Sequence, residues 1–151
     1  MAGSVPSWAG NTIMKKVLVG GCFDFIHYGH VLFLTAAKQK GDTLVVALES
    51  DENVRRSKGE TRPIHTQNQR EHMLKALRVV DEVILLPPMH SDKEYEDLVR
   101  RVHPSIIAIT EGDPMEQKKR AHASLVGAEV ITIQKIHTPS TSQLAKLLGL
   151  E

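Results

Sequence analysis

Short apolar runs and longer amphipathic stretches alternate along the 151-residue chain. The runs at 16–19, 43–48, 83–86, 105–110 and 130–133 are β-favouring and uninterrupted, as expected of strands covered on both faces. Between them lie helical patterns. Val31, Leu34 and Ala37 mark the buried stripe of a first helix, which Gly41 stops. Thr66 with Gln69, and Ser91 with Glu94, form capping boxes. They open helices running to about Leu77 and to the residue before His103-Pro104. Asp113-Pro114 starts another helix, with Gly127 past its end. A last helix runs from Ser140 or Thr141 to Gly149. Residues 49–63 are polar and basic and read as a loop, and 1–13 lack periodicity and read as a flexible N-terminal tail.

This alternation predicts an α/β, Rossmann-like doubly wound fold: a five-stranded parallel sheet with helices on both faces, in one domain over 14–151. Ligands of such sheets bind outside the carboxyl ends of the strands, where the strand order reverses. A hydrophobic fraction of 41% is enough for a core. A formal charge of +1 gives no general basic field, so neither nucleic acid nor membrane is expected as a partner. One cysteine excludes an internal disulfide and suits a reducing, cytoplasmic setting. No apolar run approaches the length of a membrane span.

The chemistry concentrates in Val19-Gly20-Gly21-Cys22-Phe23-Asp24-Phe25-Ile26-His27-Tyr28-Gly29-His30. A strand, a tight turn and a helix start follow one another there, aiming backbone N–H groups and the positive end of a helix at whatever lies above. His27 and His30, three apart, share a helix face, and Gly29 clears space between them. These two histidines are candidate donors to phosphate. Asp24 with the pair could ligate zinc in principle, but no further Cys or His completes the set, so no protein metal site is expected.

Gly21-Cys22-Phe23-Asp24 followed by His27-Tyr28-Gly29-His30 resembles the phosphate-binding signature of the cytidylyltransferase-like nucleotidyltransferases, with every fixed position present. The resemblance implies transfer of a nucleotidyl group from ATP or CTP, with Mg2+, to a phosphorylated small molecule, releasing pyrophosphate. It implies catalytic roles for His27, His30 and Lys58, the last on a loop over the phosphates. Gly21, Cys22, Phe23, Asp24, Gly29, Glu111, Gly112, Asp113, Ser140 and Thr141 would contact the nucleotide. Arg78, in Arg78-Val79-Val80-Asp81-Glu82-Val83, and Lys135 would meet phosphate or acceptor. The family also implies a homodimer.

Lys135 stands where glycerol-phosphate cytidylyltransferases carry arginine, and lysine lacks the bidentate fork. The Gly-Cys-Phe-Asp turn and the Lys58-Gly59…Arg62-Pro63…Gln69-Arg70 run are closer to heptose-1-phosphate adenylyltransferases, which favours ATP and a sugar- or polyol-phosphate. A glycerol-3-phosphate cytidylyltransferase-like enzyme and a nucleotide-binding module without turnover are the alternatives; a hydrolase of this fold would need a base that the sequence does not single out. Arg55, Arg56 and Arg62 read as a solvated basic loop, and Cys22 as a small turn residue.

Overall fold

The computed structural model describes residues 14–136 and 141–150. Five strands, β1 (Lys16–Gly21), β2 (Thr43–Leu48), β3 (Glu82–Leu85), β4 (Ile106–Thr110) and β5 (Glu129–Ile133), form one parallel sheet in the order β3-β2-β1-β4-β5. Helices α1 (Tyr28–Lys38), α2 (Asp51–Lys58), α3 (Gln67–Lys75), α4 (Asp92–Val102), α5 (Glu116–Leu125) and α6 (Thr141–Leu147) connect or follow them. The fold is Rossmann-like α/β, and no helix among the described residues is long and apolar enough to cross a membrane.

Strand periodicity builds a core on each side of the sheet. Val17, Val19, Leu44, Val46, Leu48, Ile106 and Ala108 face Leu34 and Ala37 of α1 and Leu74 of α3. The alternate residues Leu18, Val45, Ala47, Ile107 and Ile109 face Leu98, Val99 and Val102 of α4 and Ala123 of α5. Both faces are apolar, so the strands read as unbroken runs.

The strand order reverses between β1 and β4. These two pair only at Val17↔Ile106 and Leu18↔Ile107, although both continue toward their carboxyl ends. Beyond those rungs they part, and the crevice opens there.

The local signals hold at most boundaries. Thr66 and Gln69 exchange bonds at the start of α3, with Gln69 N–H to Thr66 Oγ1 at 3.3 Å and Thr66 N–H to Gln69 Oε1 at 3.1 Å. Glu94 takes the Ser91 N–H at 3.0 Å, and α4 stops at left-handed His103 before Pro104. Three expectations are corrected. The stretch 49–63 is not all loop, since α2 occupies its first half. Ser50 Oγ accepts the Asn53 N–H at 3.1 Å, Asp51 and Glu52 lie in the first turn, and Arg55, Arg56 and Lys58 in the last. That distribution complements the helix dipole, while Val54 alone is buried, so no apolar period announces the helix. α5 begins at Glu116, because Asp113 instead closes a turn by accepting the Met115 N–H at 2.8 Å.

Gly41 does not end α1 in a left-handed conformation; the helix ends at Lys38, with Gln39 as a right-handed cap. A Cβ there would lie 2.7 Å from the Lys15 carbonyl and 2.7 Å from Val17 Cγ2. Gly127, by contrast, has φ +68° and open space around it. Gly41→Ala is therefore expected to lose about 1–3 kcal/mol through overpacking against backbone. Gly127→Ala should lose about 1 kcal/mol through backbone strain alone. Urea unfolding of the two variants checks this, and a Gly41→Ala protein as stable as wild type contradicts the close packing.

Candidate active site at the strand-order reversal

The turn after β1 carries two non-glycine residues in the left-handed region, Phe23 (φ 45°) and Phe25 (φ 55°). Such residues cost about 1–3 kcal/mol each and persist only where their surroundings impose them. Phe23 is buried against Gly21, where a Cβ would come 2.9 Å from the ring, and its ring centroid lies 5.5 Å from that of His30. The Phe25 ring stacks on His65, centroids 6.5 Å apart.

Asp24 between them is buried and points away from solvent into the loop before α3. Its carboxylate accepts Arg62 Nε at 2.8 Å, the Ile64 N–H at 2.8 Å and the His65 N–H at 3.0 Å. Burial pushes this carboxyl up, but the two N–H bonds and the guanidinium outweigh it and hold it below the usual range. Arg62 is thus a buried partner, contrary to its reading as a solvated loop residue. Nothing local in the sequence points to this, because the pair is 38 residues apart.

Arg70, fully buried, was also missed as a site element. Its Nη1 donates to the carbonyls of Cys22 (2.7 Å) and Glu49 (3.0 Å), its Nε to that of His65 (3.0 Å), and its Nη2 to Asp51 (2.7 Å). One signal was available: Arg70 stands four residues before Leu74, on the buried stripe of α3.

The histidine pair opens α1. His27 caps the helix, its Nδ1 accepting the Gly29 N–H at 3.1 Å, and His30 Nδ1 accepts the His27 N–H at 3.1 Å. A ring nitrogen that accepts a backbone proton carries none itself, so each neutral imidazole keeps its proton on Nε2. The ring centroids are 4.1 Å apart. Burial, then the neighbouring His27 and Lys58, lower the His30 pKa to about 4; burial lowers that of His27. Both are neutral Nε2–H donors near pH 7.

A cavity of about 330 Å³ lies over this pair, on the α1 side of the parting strands. Gly21, Cys22, Phe23, His27, Gly29, His30, Asp113 and Lys135 all line it. Glu111 and Gly112 occupy the exposed turn just before Asp113. Lys58, the last residue of α2, is exposed, and its charge reaches both His30 and Cys22. Thr141 begins α6 with its hydroxyl 3.5 Å from the Phe25 carbonyl, and Ser140 lies outside the described residues. Arg78 is not brought to this site. It sits in the connection entering β3, at the amino ends of the strands and so at the opposite edge of the sheet.

A second cavity, about 310 Å³, lies on the α4–α5 side and meets the first at Gly20, Gly21 and Cys22. Its walls are mainly aliphatic, with Glu49, Asn53 and Tyr95 among its polar groups. The Tyr95 hydroxyl donates to Glu49 at 2.9 Å, and burial raises the Glu49 carboxyl despite that bond. His122, also buried there, stands 3.0 Å from Asp92. The arrangement can hold two ligands end to end, with neutral donors on one of them.

The model of the cytidylyltransferase-like family matches residues 18–144. The chain belongs to that family. It is 38% identical over 138 residues to the FAD synthase of Thermococcus kodakarensis, covering 88% of this chain and 89% of that one. It is 40% identical over 132 residues to the bifunctional protein HldE of Wolinella succinogenes, but spans only 26% of HldE. The lipopolysaccharide core biosynthesis protein of Thermoplasma volcanium superposes with a TM-score of 0.67, at 28% identity, over 82% of this chain and 98% of that one. These relatives make this member of the cytidylyltransferase-like family a nucleotidyltransferase.

The depressed His30 pKa has a thermodynamic consequence. Between about pH 6.5 and about 4 the unfolded chain binds a proton on His30 that the folded protein does not, so stability falls as the pH drops through this window. Urea unfolding at pH 7.5 and 5 should show this loss, smaller in His30→Ala. Nitrogen-15 NMR should show both imidazoles as Nε2–H tautomers at pH 7. A His30 that titrates near 6.5 contradicts the buried neutral donor.

Proposed function

We propose that this nucleotidyltransferase moves an adenylyl group from ATP, in the histidine-lined cavity, to the phosphate of an acceptor whose body occupies the second cavity, releasing pyrophosphate. The observation that carries this reading is the meeting of two cavities at one strand edge, beside a pair of neutral Nε2–H donors. The acceptor phosphate is already ionised, so no base is needed. The protein must position two anions and stabilise charge on the α-phosphoryl oxygens and the departing pyrophosphate.

His27 and His30 donate to the triphosphate, Lys58 closes over it from the end of α2, and Lys135 approaches it from just past the end of β5. Gly21, Cys22, Phe23, Gly29 and the 111–113 turn surround the nucleotide, while Asp24 holds the turn in shape. Magnesium, in this reading, arrives bound to the triphosphate, coordinated by phosphate oxygens and water. Among the described residues, no three His, Cys, Asp or Glu side chains stand together to ligate it.

The acceptor cavity favours an apolar body. Leu18, Ala47, Leu86, Leu98, Val99 and Ile107 line it, and each sugar hydroxyl left unpaired against such walls costs about 1–3 kcal/mol. FAD is an adenylyl group joined to flavin mononucleotide, and the relative named FAD synthase matches this chain over nearly its whole length. Flavin mononucleotide is therefore the first acceptor. Heptose 1-phosphate is the second, supported by the identity to HldE and by the polar groups Glu49, Asn53 and Tyr95, which can bind hydroxyls.

Pyrophosphate release and product mass should be measured with equal ATP and CTP against flavin mononucleotide, heptose 1-phosphate, glycerol 3-phosphate and phosphocholine. FAD formation from ATP is the expected result. Preference for CTP would sink the adenylyl assignment alone, and no release with any acceptor would leave a nucleotide-binding module. With a competent pair, His27→Ala and His30→Ala should each lower kcat by about 10²–10³. Lys58→Ala should raise the KM for the triphosphate and slow the reaction.

A further inference from the structure

We infer that Lys119 is the cation serving both cavities, binding the acceptor phosphate and the α-phosphate of the triphosphate across their common edge. This inference rests on the transferase reading above. Five residues line both cavities: Gly20, Gly21, Cys22, Ala108 and Lys119. The glycines and the alanine bring no charge, and burial pushes the Cys22 thiol up, keeping it neutral. Among the described residues, Lys119 is the one charged side chain at the junction. Two phosphates that must approach within bonding distance need a cation at that place.

The structure holds this ammonium in position from the nucleotide side. Lys119 belongs to the first turns of α5, and its Nζ lies 2.6 Å from Asp113 Oδ2. Asp113 is itself fixed, its Oδ1 accepting the Met115 N–H at 2.8 Å and its carbonyl the Glu116 N–H at 3.1 Å. An ammonium has three donors, so the tether to Asp113 leaves others for phosphate oxygens. On the acceptor side its field reaches Glu49, whose carboxyl burial raises and the Tyr95 bond and Lys119 lower. The side chain is 31% exposed. Its partner Asp113 is 12% exposed, so the pair is part-buried while the ammonium stays open to both cavities.

In the step it serves, an oxygen of the acceptor phosphate forms a bond to Pα. The bond from Pα to the bridging oxygen breaks, and its electron pair leaves with pyrophosphate. No proton has to move. Lys119 offsets charge on the attacking phosphate and on the α-phosphoryl oxygens, so its loss should affect both ligands. Loss of His30, which lines only the nucleotide cavity, should not raise the acceptor KM.

The test compares Lys119→Met, Lys119→Arg and His30→Ala with the wild type. Lys93→Met, on the exposed side of α4 and paired there with Asp97, is a charge-matched control. ATP affinity with magnesium is read by calorimetry, and kcat and both KM values by pyrophosphate release with the best acceptor. Lys119→Met should bind ATP about 10-fold or more weakly, as for loss of a charge-assisted bond. It should also raise the acceptor KM and lower kcat by about 10², with the melting temperature unchanged. Lys119→Arg should recover most of the binding, and Lys93→Met should match the wild type. If Lys119→Met keeps ATP affinity and kcat within twofold of wild type while His30→Ala is impaired, this inference is overturned and the transferase reading stands. A wild type that binds neither ATP nor CTP overturns both. Where no acceptor turns over, ATP affinity alone decides between support and rejection.

Discussion

The guanidinium of Arg70 has no contact with solvent and spends its donors on four separate pieces of chain: the Cys22 turn, the end of β2 at Glu49, the first residue of α2 and the loop before α3. Three of its partners are main-chain carbonyls: those of Cys22 and Glu49, just past the ends of β1 and β2, and that of His65 in the loop before α3. A buried carbonyl without a donor costs about 1–3 kcal/mol, so one planar fork removes several penalties together. Lysine could not do this, having neither the fork nor its fixed spread. With Arg62 on Asp24, the carboxyl edge of the sheet beside the two cavities is held by two buried arginines. Neither is free to bind phosphate by itself, which separates the structural cations from those available to substrate.

That separation explains how the strained turn survives. Phe23 and Phe25 lie in the left-handed region without being glycine. Asp24 between them is pinned by three donors, and Arg70 holds the carbonyl just before them. The strain is imposed from the α3 side of the molecule, and it sets the angle at which α1 presents its first turn. Gly21 belongs to the same device: any side chain there would displace the Phe23 ring that packs beside His30.

The sequence revealed most where chemistry is local. Capping boxes at Thr66 and Ser91, the apolar runs of the strands and the His27-Tyr28-Gly29-His30 signature are all contained within a few residues, and the strand order reversal followed from the alternation. It revealed least where partners are distant. Arg62 and Arg70 lie in a stretch rich in polar and charged residues; nothing local distinguishes Arg62 from Arg55 or Arg56, and Arg70 is marked only by its spacing to Leu74. Their acceptors are 38 and 48 residues away for Asp24 and the Cys22 carbonyl. α2 escaped notice because it is stabilised by its cap and charge order, with a single buried side chain. Arg78 was misplaced for the opposite reason. A family resemblance suggested a role, but a residue just before a parallel strand emerges at the edge away from the ligands.

The histidines pose a physical question, because a site proposed for polyanions would hold two of its nearest imidazoles neutral. Cationic imidazoles 4.1 Å apart between centroids would repel each other, by about 4 kcal/mol at 4 Å and an effective dielectric of 20. They would also lose their Nδ1 bonds to Gly29 and His27, since a protonated ring has no acceptor. Neutral rings keep those bonds, and the bonds fix where each Nε2–H points. Direction is therefore built into the rigid helix start, where reorganisation during reaction would be costly. In the proposed reaction, charge would come from lysines on longer, adjustable stems: Lys58 at the end of α2, Lys135 beyond β5 and Lys119 on α5. A lysine can follow the phosphates as they approach and then release the product, whereas a fixed cation would hold substrate and product alike. The division of labour follows from the opposite demands of orientation and of charge neutralisation.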